Sequence, residues 1–302
     1  MKITRTLVLL ISLTLFSPLA ADDTRYKPFV LASVSEASLA DRFDATVAAL
    51  ENNGFTIAGH YRPLENSVVI VATSDALKEV AAQSERGGYA AGQRISITER
   101  DSGTEVAYVN PIYIQHAYRL ETDMSPVYSA LQEALGGMET FGSKKGLKAK
   151  KLGKYNYMPM MQKFDDPSKL GEFASFEDAT AAVEAGLAVE GDALTRIYRI
   201  DIPGKDQAVF GIGMKATGNS EDEEDIDESF QMSIVDFEGP SKVAYFPYEI
   251  LVNGKTVEAL HMRFRMAVHF PDLSMMGDHG FTQLMSSPGA IEEALEALVA
   301  TP

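Results

Sequence analysis

Phe43-Asp44-Ala45-Thr46-Val47-Ala48-Ala49-Leu50-Glu51 returns, in kind, as Phe176-Glu177-Asp178-Ala179-Thr180-Ala181-Ala182-Val183-Glu184. Working outward, Ser125-Pro126 opens a helical stretch ending Leu131-Gln132-Glu133-Ala134-Leu135, and Ser287-Pro288 opens one ending Leu295-Glu296-Ala297-Leu298. A β-hairpin pattern precedes each Ser-Pro helix. Repetition of this kind predicts two copies of one module and a seam between them with room for a shared site. The expected fold class is α+β: two tandem related modules, each an antiparallel or mixed sheet with helices packed on it, joined as an intrachain pseudo-dimer.

The first module is expected over residues 26–137. Phe29 to Val34 reads as a strand. A helix follows with Leu39, Phe43, Val47 and Leu50 on one face, Ser38 as N-cap and Gly54 as the left-handed stop. Phe55 to His60 and Val68 to Ala72 read as strands, and Thr73-Ser74-Asp75 caps a helix running to about Gln83. Arg94 to Arg100 and Thr104 to Tyr118 read as a hairpin around Asp101-Ser102-Gly103, with Pro111 marking an edge or bulge. Residues 138–172 read as a linker, basic at first and then rich in methionine. The second module, residues 173–302, opens on a helix capped by Ser175 with Asp178 as capping-box partner. A hairpin over Leu194 to Ile202 and Ala208 to Met214 is expected next, then an acidic insert over residues 219–228. Strands are expected at Phe230 to Val235 and Lys242 to Val252. Asn253-Gly254 then signals a tight turn into a long strand from Lys255 to Phe270.

Residues 1–21 read as a secretory leader: Lys2 and Arg5, the apolar run Leu7 to Phe16, then Ser17-Pro18-Leu19-Ala20-Ala21 as the small-residue cleavage region. The run is shorter than the roughly 20 apolar residues of a membrane span. A periplasmic or secreted protein is the expectation. The chain has 302 residues, 45% of them hydrophobic, and no cysteine. It therefore builds its core without disulfides and has no thiol chemistry. Its formal charge of −16 speaks against nucleic acid or an anionic membrane surface as a partner.

The signatures of the common hydrolases, zinc peptidases and P-loop enzymes are missing from the sequence, so no residue is assigned as catalytic. The most pointed pattern is His261-Met262-Arg263-Phe264-Arg265-Met266-Ala267-Val268-His269-Phe270. Read as a strand, it sets His261, Arg263, Arg265 and His269 on one face. Guanidinium groups bind carboxylates bidentately, so this row suits a small, possibly anionic ligand, with His116 of the first module as a counterpart of His269. The expected role is non-catalytic binding of such a ligand or of a protein partner. An alternative is copper: Met158, Met160 and Met161 in the linker, with Met275, Met276 and His279 after the long strand, supply the thioether and imidazole groups that suit Cu(I).

Val68-Val69-Ile70-Val71-Ala72-Thr73-Ser74-Asp75-Ala76-Leu77-Lys78, Gly92-Gln93-Arg94-Ile95-Ser96-Ile97 and Gly103-Thr104-Glu105-Val106-Ala107-Tyr108-Val109-Asn110-Pro111 carry a family resemblance. In this strand, helix and hairpin the first module resembles domain of unknown function 302, a small α+β fold. The second module resembles a divergent copy. The sequence departs from the family pattern where Thr73-Ser74-Asp75 stands in place of Asn-Pro. The resemblance brings no catalytic residues. It implies that modules pair, and that this chain supplies both partners itself.

Overall fold

The structure is a computed structural model and describes residues 23–189, 193–218 and 223–300. The leader read over residues 1–21 and the first part of the acidic insert, residues 219–222, lie outside them.

The first half of the chain forms β1 (Arg25–Tyr26), β2 (Phe29–Ser35), α1 (Leu39–Asn52), β3 (Thr56–Tyr61), β4 (Ser67–Thr73) and α2 (Asp75–Gln83). It continues with β5 (Gln93–Arg100), β6 (Gly103–Val109), α3 (Pro111–Ala117) and α4 (Ser125–Leu135). The connecting stretch holds β7 (Glu139–Phe141), β8 (Leu147–Lys148) and α5 (Ala149–Leu152). The second half forms β9 (Ser168–Glu172), α6 (Phe176–Gly186), β10 (Leu194–Asp201), β11 (Gln207–Met214), α7 (Glu223–Ile226) and α8 (Glu228–Val235). β12 (Tyr248–Asn253), β13 (Thr256–Ala259), α9 (Met262–His269) and α10 (Ser287–Ala300) complete it.

The α+β class holds. The first sheet runs β3-β4-β5-β6-β2-β7 and the second β10-β11-β12-β13-β9, with β1 and β8 as a separate pair. Leaving β1 and β7 aside, the two orders are the same when each strand is counted from the start of its own half. The irregularities also coincide. β3 is bulged between Ile57 and Gly59 against β4, and β10 between Arg196 and Tyr198 against β11.

The two helices whose words matched begin alike. Ser38 accepts from the Asp41 backbone N–H, and Ser175 from that of Asp178, at 3.2 and 3.1 Å. Each serine hydroxyl in turn donates to the carboxylate three residues on. Aligned by these caps, the literal match Phe43/Phe176 is one helical turn out of step.

Three stretches read as strand are helical. Asn110 caps α3, its Oδ1 accepting from Ile112 N and Tyr113 N. Pro111 sits at the first helical position, where a missing N–H costs nothing. It marks a helix start, and the second hairpin arm ends at Val109. Asp227 caps α8 in the same way over Ser229 and Phe230, so Phe230 to Val235 is helix, and the tail of the acidic insert is its N-terminus. The long strand ends at Ala259; His261 caps α9 through Nδ1, 3.1 Å from Arg263 N. The linker also changes character. β7 extends the first sheet by pairing with β2, and β9 is the edge strand of the second sheet.

Each sheet buries one face under its own helices, α1 and α4 on the first, α6 and α10 on the second. The other faces meet. Strand alternation puts Ile95 and Ile97 of β5 under α1 and turns Arg94, Ser96 and Thr98 toward the second half. Burial of each such Ile, Leu or Val contributes about 1.5–3 kcal/mol.

The contacts across the seam are reciprocal. The 3-10 turn Gly87–Ala90 docks on the second sheet: Gly88 N donates to Gln207 Oε1 at 3.0 Å and the Tyr89 hydroxyl to the Glu258 carbonyl at 3.1 Å. In return Ser241 N, just before the 3-10 turn Val243–Tyr245, donates to Glu105 Oε2 at 2.8 Å, and Arg100 donates to Asp236 at 2.9 Å. At the sheet edges β3 and β10 approach so closely that a Cβ on Gly59 would lie 2.2 Å from the Ile197 carbonyl oxygen.

Candidate functional site

The helical form of α9 rearranges the predicted row. In a helix, residues four apart share a face, so His261, Arg265 and His269 belong together and Arg263 does not. Arg265 and His269 are fully buried at the seam. Arg263 is half-buried and lines a small apolar hollow with Tyr157, Met161 and Phe281. Burial pulls the pKa of His261 below the ordinary imidazole value, with Arg263 adding to the effect and Glu292 opposing it. His116 lies on α3, not on a strand, with its ring 4.9 Å from Tyr26. Counting from the caps Asn110 and His261, the residue that matches His269 is Tyr118, not His116. Arg263 and His116 therefore do not join the seam cluster, because the strand alternation that grouped them is absent.

What the fold assembles instead is a buried polar centre. Arg94 and Glu249 are each the second residue of strands holding the same place in the two sheets, β5 and β12. They meet at 3.0 Å. Glu249 also accepts from the Tyr198 hydroxyl at 2.8 Å and lies 3.7 Å from Arg265. Arg94 donates a second N–H to His269 Nε2 at 2.9 Å. An arginine only donates, so Nε2 is unprotonated, and the proton sits on Nδ1, which donates to the Arg265 carbonyl at 2.8 Å. Burial, then the charges of Arg94 and Arg265, pull this imidazole pKa far down.

Arg265 lies between the rings of Tyr245 and Tyr248, 4.4 and 4.6 Å from their centroids, and donates Nη2 to the carbonyls of Tyr245 and Pro247. A second buried carboxyl stands nearby. Glu228 accepts from the Tyr61 hydroxyl across the seam at 2.8 Å, and burial pushes its pKa up to about 8. The centre is buried and its charges pair across the seam, which suits it to joining the two halves, while Arg265 Nε and Nη1 and the Tyr118 and Tyr245 hydroxyls have no hydrogen-bond partner among the described residues.

The open space lies elsewhere. A groove of about 620 Å³ runs between β7 with its following turn and the loops after α8 and α9, a volume typical of small-molecule sites. The ring of His279 stacks on Phe237 at 4.2 Å and 17°, held by its Nδ1 contact with the Ile234 carbonyl at 3.1 Å. Phe237 and Met276 are exposed along it. Lys27 and Lys144 stand at the same groove, whereas Lys242 is already held by Asp236 and the Glu238 carbonyl. Lysines and carboxylates both line the walls, Asp272 among the latter, accepting from the Lys144 backbone N–H.

Of the residues proposed for copper, Met276 and His279 line this groove, while Met158, Met160 and Met161 line a second one. The two stretches are neighbours: Tyr157 donates to the Leu273 carbonyl at 3.0 Å and stacks with Phe281. Met275 packs partly buried against the core. Among the described residues no three His, Asp or Glu side chains are grouped to hold a metal, and none of their helices is long and apolar enough to cross a membrane.

No family model, curated protein or solved structure matches the chain.

Proposed function

We propose that this is an exported, non-catalytic binding protein whose two related modules pair as an intrachain pseudo-dimer, and that its ligand is a small organic anion with an apolar body. The observation that carries the reading is the groove in which the Phe237–His279 stack and Met276 offer apolar surface beside Lys27 and Lys144. The ring pair takes the body of the ligand, and the two lysines take its charge. Pairing of the modules is supported by the shared strand order and reciprocal seam contacts, and is in keeping with the resemblance to domain of unknown function 302. On this reading Arg265 and His269 serve the seam, and the ligand role expected of the His261–His269 row passes to the groove.

The test is calorimetric titration with benzoate and octanoate, chosen as aromatic and aliphatic forms of that chemistry. Binding to one of them, weakened at least about tenfold by Phe237→Ala with Lys144→Gln at unchanged melting temperature, is the expected result, since this removes both an apolar contact and a charge. Absence of heat with both, or equal affinity in the double variant, would remove the groove from consideration.

The adjacency of the two methionine stretches favours a second reading, Cu(I) carriage by thioether and imidazole groups. It requires that the protein retain Cu(I) against a competing chelator and lose it on Met158→Leu, Met160→Leu and Met276→Leu.

A further inference from the structure

Residues 144 to 163 contain seven lysines and no carboxylate, in a chain of net charge −16. Such a segment is expected to fold back on the acidic surface of its own chain. Within the segment, Lys148 does so, pairing with Asp23, and Lys151 rests over the Tyr155 ring at 5.8 Å. Lys145, Lys150, Lys154 and Lys163 point outward, and none of the four has an ion-pair partner among the described residues.

The segment is firmly held. Leu152, Tyr155 and Phe164 are buried, and Phe164 stacks on Tyr118 at 5.3 Å. Between these anchors Met158-Pro159-Met160 protrudes; Met158 is exposed, and Met160, at a φ of 71°, is fully so. Beside them Lys151, Lys154, Lys163 and Asn156 border a concavity of about 750 Å³. Asp166, on its rim, accepts from the Lys163 backbone N–H at 3.2 Å.

We infer that this face docks the protein on an anionic phospholipid bilayer, the lysines on the phosphates of the headgroups and Met158 and Met160 at the acyl boundary. Charge complementarity selects an anionic surface, and the exposed thioethers select one with an apolar interior. An acidic polypeptide satisfies the lysines but gives the methionines nothing to enter.

The experiment is flotation of the mature protein with phosphatidylcholine vesicles, with and without phosphatidylglycerol. The expected result is capture only by the anionic vesicles. Capture falls about tenfold or more in the variant Lys151→Gln/Lys154→Gln/Lys163→Gln, since each lysine contributes at such a surface. It is also lost in about 0.5 M salt, where surface charges are screened. Met158→Gln/Met160→Gln weakens capture while leaving the melting temperature alone. Equal capture by neutral vesicles, no capture by either, or an unaffected triple-lysine variant overturns the inference. So does binding to soluble polyglutamate as strong as binding to vesicles, which would assign the face to an acidic protein.

Discussion

His269 donates its Nδ1 proton to the carbonyl of Arg265, one helical turn back, at 2.8 Å. That contact keeps the proton on Nδ1 and leaves the Nε2 lone pair for Arg94, whose bond to it ties the end of α9 to the first sheet. It also makes the two residues parts of one joint, although the sequence offers them as ligands.

The first prediction separates neighbours that the sequence treats as equivalent. Arg265→Ala removes a fully buried cation from between two tyrosines and from beside Glu249, and leaves that carboxylate with fewer partners. Loss of one partner of a buried charge cluster costs about 3–5 kcal/mol. Arg263→Ala, half-buried and outside the cluster, costs about 1 kcal/mol or less. Urea denaturation of the two variants measures the difference. Equal midpoints would mean that the seam does not depend on the α9 arginine.

The second concerns pH. Folding depresses the His269 pKa far below 6.5, so below pH 6.5 the unfolded chain takes up a proton that the folded one refuses. Stability from this group is complete above 6.5 and is lost as pH falls. Glu228 works the other way. Its folded pKa of about 8 lies above the ordinary 4.5, so its contribution is complete below 4.5 and is lost as pH rises through 8. Above pH 6.5 only Glu228 acts of the two, and there Glu228→Gln flattens the decline in melting temperature toward pH 8. His269→Gln instead flattens the acid limb below 6.5. Melting curves from pH 4.5 to 8.5 check both signs.

The third tests the abutting sheet edges. A methyl group on Gly59 would meet the Ile197 carbonyl oxygen at 2.2 Å, a backbone atom with no side-chain freedom to yield. Gly59→Ala therefore destabilises by about 1–3 kcal/mol through overpacking. The same change at Gly204, with nothing within reach of a Cβ, strains only its own left-handed backbone and leaves the seam intact. Fluorescence-monitored urea unfolding of Gly59→Ala that matches the parent protein would show that the edges can part.

Much of the fold was legible. Ser38, Ser74 and Ser175 announced their helices because capping is local chemistry, and Asn253-Gly254 announced its turn for the same reason. The alternating run from His261 to Phe270 misled because its polar residues are also spaced four apart, a pattern a helix uses equally well. The cue that separates the two readings lies in the first module: Asn110 caps a helix at the place where His261 does. Pro111, next to it, is a ready helix start as much as a strand interruption. Glu249 left a faint trace as the one charge in Tyr248-Glu249-Ile250-Leu251-Val252, and so did Arg94, between Gln93 and Ile95. Their meeting was not legible, since it depends on how two sheets face each other across 155 residues of chain. The groove was equally hidden, built from a strand read as linker and from loops that carry no motif.

The opposite charges of Arg94 and Glu249 also bear on self-recognition. They fill one position in two copies of the same strand order. A first module meeting another first module in that arrangement would bring arginine against arginine, and two second modules would set glutamate against glutamate. Only the mixed pairing cancels the charge. A seam between like halves would leave a buried charge uncancelled, which the Arg94–Glu249 pair of this chain avoids.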